Sequence, residues 1–264
     1  MPPYTWETVK NFKGGTAIFT SPGTPVKCGG APQKAIYMSS DYFRMQGLLP
    51  ISDIQFCNAG KVIFGVEKYR IPLEKVCDRY GVVQNHHHDL IKIDGPNKTA
   101  TFKVTDAEGK TSEVEKAFDM IHVTPPQGAP DFVKSSPLAD ENGWIDVDKH
   151  TMQHTKYPNV FGLGDATNTP NAKTGAAVRK QAPVVVSNLL ALLNDRQMSE
   201  KYQGYGSCPL VTGRGKLILA EFDYSGKPTE TFPFNQAKER WSMWLLKTMV
   251  LPWLYWNKIL KGKA

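Results

Sequence analysis

The chain alternates short β-prone runs with helical apolar periods, and this alternation restricts its fold more than any other feature. Residues 16–20 (TAIFT) predict a strand, and residues 21–30 (SPGTPVKCGG), which contain both proline and glycine, predict a loop. Residues 31–45 then carry apolar side chains at a helical period. A strand, a loop and a helix in this order predict an α/β fold of the nucleotide-binding kind.

The alternation continues downstream. The pattern predicts strands at 51–58 and 118–123 and a strand start at 82–83, a helix at 73–80, and a hairpin formed by 100–104 and 113–118. The run TPPQGAP at 124–130 can continue neither a helix nor a sheet, so we interpret it as a domain crossover. After it we expect strands at 144–147 and 159–163 and a helix at 175–193.

The composition is that of a loop-rich globular protein. Of the 264 residues, 41% are hydrophobic and 22% are charged, and no apolar run approaches the roughly 18 residues that a spanning helix needs. Four scattered cysteines, without a CxxC pair, exclude a secreted disulfide framework and a zinc motif. The N-terminal residues carry no legible secretory or transit signal.

The segment YPNVFGLGD at 157–165 carries the most information about function. A strand that ends in Gly164-Asp165 lets the backbone approach a ligand, and the carboxylate can bind polyol hydroxyls. The following KTGAA predicts a helix whose positive N-terminus, with Lys173 and Thr174 beside it, would face negative charge. The alternative is an ordinary strand-to-helix turn in which Asp165 is the N-cap.

Two of the four cysteines lie in loop-like, glycine-flanked sequence. Cys28 precedes a predicted helix and follows Lys27, and both a helix N-terminus and a cation stabilise a thiolate. Cys208 lies in GYGSCPLV, 180 residues away, so that only the fold could make the two a redox pair. Cys57 and Cys77 lie in strand-like and helical apolar sequence, where inert buried thiols are the usual case.

The histidines do not predict a metal site. Three consecutive residues on an extended chain point to alternate faces, so the run 86–88 is expected to be a solvent-facing loop. His122 and His154 have no histidine or cysteine at ligand spacing and are expected to be structural.

The tail is aromatic and basic. Residues 236–264 carry six lysines and arginines against Glu239 alone, a large share of the formal net charge of +7, and four tryptophans lie between residues 241 and 256. Tryptophan and lysine together favour the membrane interface, although some of these rings would equally suit a helix pair packed on the core. No RRM or KH signature supports RNA binding, and we expect no nucleic-acid partner.

The chain resembles mitochondrial-type sulfide:quinone oxidoreductase over most of its length. The resemblance is carried by segments in the family's order, namely TPVKCGGAPQKAIYMS, IHVTPPQGAPD, YPNVFGLGDATN, KTGAAVRKQ, GYGSCPLVTG, LILAEFDY and ETFPFNQAKER. It implies two dinucleotide-binding-like, Rossmann-type domains of the disulfide-reductase-like flavoproteins. Residues 1–123 would then be the second such domain, 124–235 the remainder of the FAD-binding domain, and 236–264 a membrane-facing helical segment.

The same resemblance implies a chemistry. Cys28 and Cys208 are similar to the redox-active pair, and Gly164, Asp165, Lys173 and Thr174 are similar to FAD-binding residues. Hydrogen sulfide would attack the cysteine bridge, leaving a persulfide on Cys208 while the freed Cys28 thiolate passes electrons through the flavin to ubiquinone. Glutathione or sulfite would remove the sulfane sulfur. The family's location implies a monotopic protein of the mitochondrial inner membrane.

One departure separates the chain from this family. The GxGxxG unit that cradles the ADP part of FAD does not occur in the sequence, so we expect the first dinucleotide-binding domain to be incomplete. The alternative function is therefore a non-catalytic, membrane-associated, truncated paralogue without stable FAD.

Overall fold

Four parallel strands form the central sheet of the computed structural model, which describes residues 2–263. The strands lie in the order β3-β2-β1-β7. Helix α2 connects β1 to β2, and helix α3 connects β2 to β3. The bounds are α1 Pro2–Asn11, β1 Gly15–Ser21, α2 Ala31–Met45, β2 Ser52–Asn58, α3 Glu67–Tyr80, β3 Val82–His86 and β7 Met120–His122.

Two smaller sheets flank this unit. One is antiparallel, in the order β4-β5-β6, and the other is a hairpin of β8 and β9. Their bounds are β4 His88–Asp94, β5 Thr99–Thr105, β6 Thr111–Ala117, β8 Gly206–Gly213 and β9 Lys216–Phe222. The remaining helices are α4 Asp131–Lys134, α5 Gly175–Leu193, α6 Trp241–Leu245 and α7 Leu251–Asn257, with a π-helical turn at Leu246–Val250 between the last two.

Strand β1 is buried on both faces, as a parallel strand between covering layers must be. Its side chains alternate: Ala17 and Phe19 belong to the largest core cluster, whereas Ile18 packs on the opposite side with Phe102 of β5. The alternation follows from the two-residue period of a strand. The antiparallel sheet therefore covers one face of the parallel sheet.

The largest core cluster joins distant parts of the sequence. It contains Phe19 of β1 and Ile36 of α2 together with Cys208, Leu210 and Ile218 of the hairpin, all almost completely buried. Hairpin β8–β9 thus packs on helix α2. The division of the chain at residues 123 and 235 stays a prediction.

The α/β class with a parallel sheet is confirmed, and helices α2 and α5 have the predicted bounds. The predicted strand at 159–163 is wrong, because there only Phe161 forms an isolated bridge, to Gln153. Pro158 and two glycines leave this segment few ladder bonds. Residues 144–147 likewise form isolated bridges at Ile145 and Val147 instead of a regular strand.

Helix α3 begins six residues earlier than predicted and continues through Pro72. The sequence places a break at this proline, because proline lacks the N–H that the helix needs. The turn before it is held by tertiary contacts: Tyr69 is fully buried, and its hydroxyl donates to the Glu221 backbone oxygen at 3.1 Å. Packing here outweighs the local preference.

The run of histidines is not a solvent-facing loop. His86 ends β3, His88 begins β4, and all three side chains are half-buried. His87 has φ +56°, which reverses the chain between the two sheets. The sequence pattern missed this corner because the pairing partner of β4 is β5, which comes later in the chain.

The C-terminal segment is partly packed and partly exposed. Met243 packs with Leu217 and Leu219 of β9, whereas Trp241, Trp253 and Trp256 are more than half exposed. Among residues 2–263, none of the helices has the length and apolarity needed to cross a membrane.

A buried carboxylate ties helix α2 to the tip of hairpin β8–β9. Asp41 accepts hydrogen bonds from the Arg214 backbone N–H at 2.8 Å, the Tyr80 hydroxyl at 3.2 Å and Arg44 Nε at 3.1 Å. Burial alone would raise the pKa of Asp41, but these bonds outweigh it and lower the pKa below its usual value. The ionised carboxylate is therefore the stabilising form.

We predict that Asp41→Ala lowers the free energy of unfolding by about 2–4 kcal/mol, because it leaves the partly buried Arg214 N–H and the buried Tyr80 hydroxyl with fewer partners. Asp131→Ala, which removes an exposed carboxylate paired with Lys134, is the control and should cost less than about 0.5 kcal/mol. Urea titration measures both. Since the folded-state pKa of Asp41 is lowered, the difference should be full at neutral pH and shrink as the pH falls below about 4. Equal losses in the two variants would contradict this role.

A candidate redox site at Cys28 and Cys208

The Cys28 loop is braced from two sides. Cys28 has φ +59°, an uncommon conformation for a residue with a side chain, and its carbonyl accepts from the Ala31 N–H at 2.7 Å. The crossover segment supports the loop, since Gln127 Oε1 accepts from the Lys27 N–H at 2.9 Å and the Gln127 N–H donates to Thr24 Oγ1 at 3.1 Å. The loop therefore holds Cys28 at the start of helix α2.

Cys208 lies on strand β8, not in a loop as its glycine and proline neighbours predicted. Pro209 is tolerated because β8 pairs only with β9. The side chain of Cys208 is completely buried, and its Sγ lies 3.9 Å from Cys28 Sγ. The fold thus brings together the two cysteines that lie 180 residues apart.

The two thiols have opposite electrostatic environments. The pKa of Cys28 is lowered from 9.0 to about 6, first by the hydrogen bond from Cys208 and then, against the effect of burial, by the charge of Lys34. Lys34 Nζ lies 3.6 Å from Cys28 Sγ. The pKa of Cys208 is raised well above its usual value, because it donates to Cys28 and is buried. At neutral pH, Cys28 is the thiolate and Cys208 the thiol.

The cation beside the thiolate is Lys34. The sequence had suggested Lys27, which directly precedes Cys28, for this role. Helix α2 brings Lys34, six residues after Cys28, back over the sulfur. A signal was present in the sequence: a lysine so near a helix N-terminus opposes the helix dipole, and helix α2 has no acidic residue in its first turn. The charge of Lys34 also acts on the C-terminal segment, since partial burial and then that charge lower the pKa of Lys247.

The other two cysteines are buried and bond to other residues: Cys57 Sγ accepts from Asn85 Nδ2, and Cys77 Sγ donates to the Tyr37 hydroxyl. Burial raises the pKa of Cys57 to about 11 and that of Cys77 to about 12. Thiols that stay protonated are poor nucleophiles. This agrees with the expectation that they are structural.

The Gly164–Asp165 turn leaves the side chain of Asp165 exposed. Gly164 has φ +78°, which favours glycine, and its N–H donates to Gln181 Oε1 at 2.8 Å. The Asp165 side chain is exposed and makes no hydrogen bond to other residues in the range 2–263. The N-cap of helix α5 is Thr174, which accepts from the Ala177 N–H at 3.2 Å. Asp165 as N-cap is therefore wrong, and its carboxylate stays open to a ligand.

A pocket of about 200 Å³ lies between the Cys28 loop and residues 168–173, which follow this turn in the chain. Pro25 and Val26 line one side, and Trp144, Asn171 and Lys173 line the other. Lys173 Nζ donates to the Thr169 carbonyl at 3.0 Å and lies 4.9 Å from the centre of the Trp144 ring. Burial lowers the pKa of Lys173, while the charge of Asp165 opposes that shift.

Unpartnered polar atoms around this region fit a polar ligand. Within residues 2–263, Asn171 Oδ1 of the pocket wall and Gln181 Nε2, whose Oε1 accepts from the Gly164 N–H, are buried without hydrogen-bond partners. Buried polar atoms are normally paired, so such groups call for a missing partner. His154, in contrast, is satisfied by the Leu138 carbonyl and the Lys156 N–H, as expected for a structural residue.

Curated relatives match almost the whole chain. "Sulfide:quinone oxidoreductase, mitochondrial" of Mus musculus is 48% identical over 258 residues, and that of Dictyostelium discoideum is 45% identical over 261 residues; each match covers 98% of this chain. The chain is homologous to the mitochondrial sulfide:quinone oxidoreductases. It spans 57% of the length of these two relatives. None of the models of known protein families matches it.

Solved structures share the fold. A chain of the Tetrahymena thermophila mitochondrial ATP synthase has a TM-score of 0.77 at 23% identity, covering 94% of this chain and 60% of that one. The sulfide:quinone oxidoreductase of Aquifex aeolicus has a TM-score of 0.75 at 18% identity, covering 97% and 60%. The predicted resemblance to this family's α/β fold is confirmed.

We predict that the rate of Cys28 alkylation by iodoacetamide rises with pH, with a midpoint near pH 6, and then levels off. Lys34→Gln should raise that midpoint by roughly one pH unit, because a cation beside a thiolate favours the ionised form. Lys27→Gln removes the charge that directly precedes Cys28 in the sequence and is the matched control. Mass spectrometry of the Cys28 peptide measures the rate. Equal shifts in the two variants would show that the general field of the protein, not Lys34, sets the pKa.

Proposed function

We propose that this chain carries the sulfide-oxidising chemistry of an FAD-dependent sulfide:quinone oxidoreductase. The observation that carries the proposal is the pair of sulfur atoms, 3.9 Å apart, with the thiolate on Cys28 beside Lys34. Homology to the mitochondrial enzymes supports the same reaction. A mitochondrial location follows from the names of these relatives and is part of the proposal.

The opposite pKa shifts support Cys208 as the cysteine that receives sulfur. In the oxidised state, Cys28 and Cys208 form a disulfide. Hydrosulfide attacks one sulfur, a new S–S bond forms, and the bond between the cysteines breaks with its electron pair on the leaving sulfur. The better leaving group is the thiol of lower pKa, which is Cys28. The persulfide therefore forms on Cys208, and the electron pair stays on Cys28, where Lys34 stabilises the negative charge.

The residues around the Gly164–Asp165 turn fit a bound flavin. Asp165 would bind the ribityl hydroxyls, and Gly164 leaves room for the close approach. Lys173 and the N-terminus of helix α5, capped by Thr174, would contribute positive charge on the other side of the pocket from the Cys28 loop. Bound FAD supplies a two-electron acceptor for the Cys28 thiolate and a donor for ubiquinone.

The cycle closes when the sulfane sulfur leaves. A small nucleophile, glutathione or sulfite, attacks the terminal sulfur on Cys208, takes it as a persulfide or as thiosulfate, and leaves the Cys208 thiolate. The two thiolates then re-form the disulfide and give up two electrons. Each turnover thus moves two electrons from one sulfide sulfur to the quinone. The electropositive Lys34 would draw the anionic substrates to the site.

The C-terminal segment would bring ubiquinone to the protein. Trp241, Trp253 and Trp256 are exposed and would lie at the membrane interface, with the lysines of the tail at the headgroups. The charges of Lys34 and Cys28 both act on Lys247 of the same segment. A monotopic contact with the inner membrane would therefore lie near the redox site.

We predict that Cys28→Ser, Cys208→Ser and the double variant each lower sulfide-dependent reduction of decylubiquinone by roughly a hundredfold or more, because residues that act as one unit are not additive. The assay uses the chain reconstituted with FAD. Cys57→Ala, which removes a buried thiol elsewhere, is the control. A second readout needs no flavin: the oxidised chain treated with sulfide should carry a persulfide on Cys208. Near-normal turnover of Cys208→Ser would contradict the mechanism, and a chain that loses FAD on desalting and shows no turnover would favour the non-catalytic paralogue.

We predict that the chain floats with liposomes and that anionic lipid strengthens the binding. Raising the salt from about 0.1 M to 1 M should weaken the binding in part, because the screening length falls from about 10 Å to about 3 Å. The double variant Trp253→Ser/Trp256→Ser should bind much less, since it removes exposed rings without uncovering Met243. Phe132→Ser removes an aromatic ring of α4 that is 77% exposed and is the matched control. Equal loss in the two variants would rule out the tail as the anchor.

A further inference from the structure

Gly30 lies where the helix of one cysteine meets the strand of the other. It is the buried N-cap of helix α2, two residues after Cys28. A β-carbon at this position would lie 2.6 Å from Leu210 Cδ2, 3.3 Å from Leu210 Cγ and 3.5 Å from Cys208 Cβ. Carbon atoms normally stay about 3.5–4.0 Å apart. A side chain on residue 30 would therefore clash with the side chain of Leu210 on strand β8.

The requirement is for space and not for backbone freedom. Gly30 has φ −87° and ψ −2°, which residues with side chains also adopt. Its neighbour Gly29 differs in one respect that matters: a β-carbon there would meet no atom within 4 Å. Alanine at position 29 adds a methyl group to open space, whereas alanine at position 30 adds it to a filled contact.

The crowded atoms cannot simply turn away. Cys208 and Leu210 are completely buried, and their strand is held in register by β9, with Cys208 opposite Ala220 and Leu210 opposite Ile218. Packed cores have little free volume, so an added methyl group there displaces backbone as well as side chains. The displacement would move β8 away from the start of helix α2.

The distance between the sulfurs depends on this contact. A disulfide has an S–S length of about 2.05 Å, so the two Sγ atoms, now 3.9 Å apart, must approach further to form one. We propose that Gly30 is a positioning residue whose missing side chain lets Cys28 and Cys208 reach bonding distance. The inference rests on the proposed function, in which that bond forms and breaks in every turnover.

The backbone of Gly30 adds a second effect. After the hydrogen bond from Cys208 and the charge of Lys34, a hydrogen bond from the Gly30 amide also lowers the pKa of Cys28. The same amide opposes the raised pKa of Cys208. Displacing the strand would weaken the contact between the thiols, so the pKa of Cys28 should rise.

The test compares Gly30→Ala with Gly29→Ala in the full chain, equilibrated with oxidised dithiothreitol. The two cysteine thiols give two electrons and two protons to the cyclic disulfide, which becomes the dithiol, and the exchange constant is read from the amount of bridged Cys28–Cys208 peptide. We expect Gly30→Ala to lower this constant by roughly tenfold or more, as overpacking predicts, and Gly29→Ala to leave it unchanged. The alkylation midpoint of Cys28 should rise only in Gly30→Ala.

A rescue variant separates positioning from a general loss of structure. Leu210→Ala in the Gly30→Ala background removes the two atoms closest to the added β-carbon and leaves Cys208 Cβ, at 3.5 Å, as the nearest neighbour of that carbon. This double variant should recover most of the exchange constant, although it removes more of the core. It also keeps the test open if Gly30→Ala alone does not fold.

The outcomes are distinguishable. If the wild-type chain and Gly30→Ala form the Cys28–Cys208 bridge to the same extent, the role of Gly30 is overturned and the proposed function stays intact. A wild-type chain that forms no Cys28–Cys208 bridge under the oxidant overturns both. If Gly30→Ala loses bridging and Leu210→Ala does not restore it, the methyl group acts through folding and not through spacing. This result also overturns the proposal.

Discussion

The close contact between the start of helix α2 and strand β8 is the constraint on which the site depends. It brings the two sulfur atoms to 3.9 Å and buries Cys208 in the same core cluster as Phe19 and Ile36. The contact is fixed at its other end by Asp41, which binds the Arg214 N–H at the tip of the hairpin. The hydrogen bonds of the buried Asp41 carboxylate and the close contact at Gly30 thus hold helix α2 and strand β8 in one geometry. Loosening either end would change the distance on which any chemistry of the pair depends.

The second requirement is that the two thiols differ. Identical thiols at this distance would share their negative charge, and sulfur transfer would have no preferred direction. Here Cys28 is half-buried beside Lys34, whereas Cys208 is completely buried and serves as a donor. The hydrogen bond from Cys208 and the charge of Lys34 outweigh burial at Cys28, whereas donation to Cys28 and burial both raise the pKa of Cys208. This asymmetry separates the roles of thiolate and sulfur carrier in the proposed cycle.

The proposed cofactor and membrane surfaces lie on segments that contact the Cys28 loop and strand β9. The crossover segment binds the Cys28 loop through Gln127, and the pocket beyond that loop reaches Lys173. The C-terminal segment packs on β9 through Met243, the strand that pairs with the strand of Cys208. Electrons moving from sulfide to a flavin and on to a quinone would thus stay among elements joined by direct packing.

The sequence by itself determined the elements whose signals are local. The apolar period and the loop before it defined helix α2, the motif around Gly164-Asp165 singled out an open carboxylate, and flanking residues separated Cys28 from the buried Cys57. Local signals also misled, since Pro72 does not break its helix and residues 159–163 do not form a strand. Only the tertiary structure decided that Lys34 faces the thiolate, that Cys208 lies within a strand, and that Gly30 must lack a side chain. Each of these depends on a contact between segments far apart in sequence, and local propensity contains no term for such a contact.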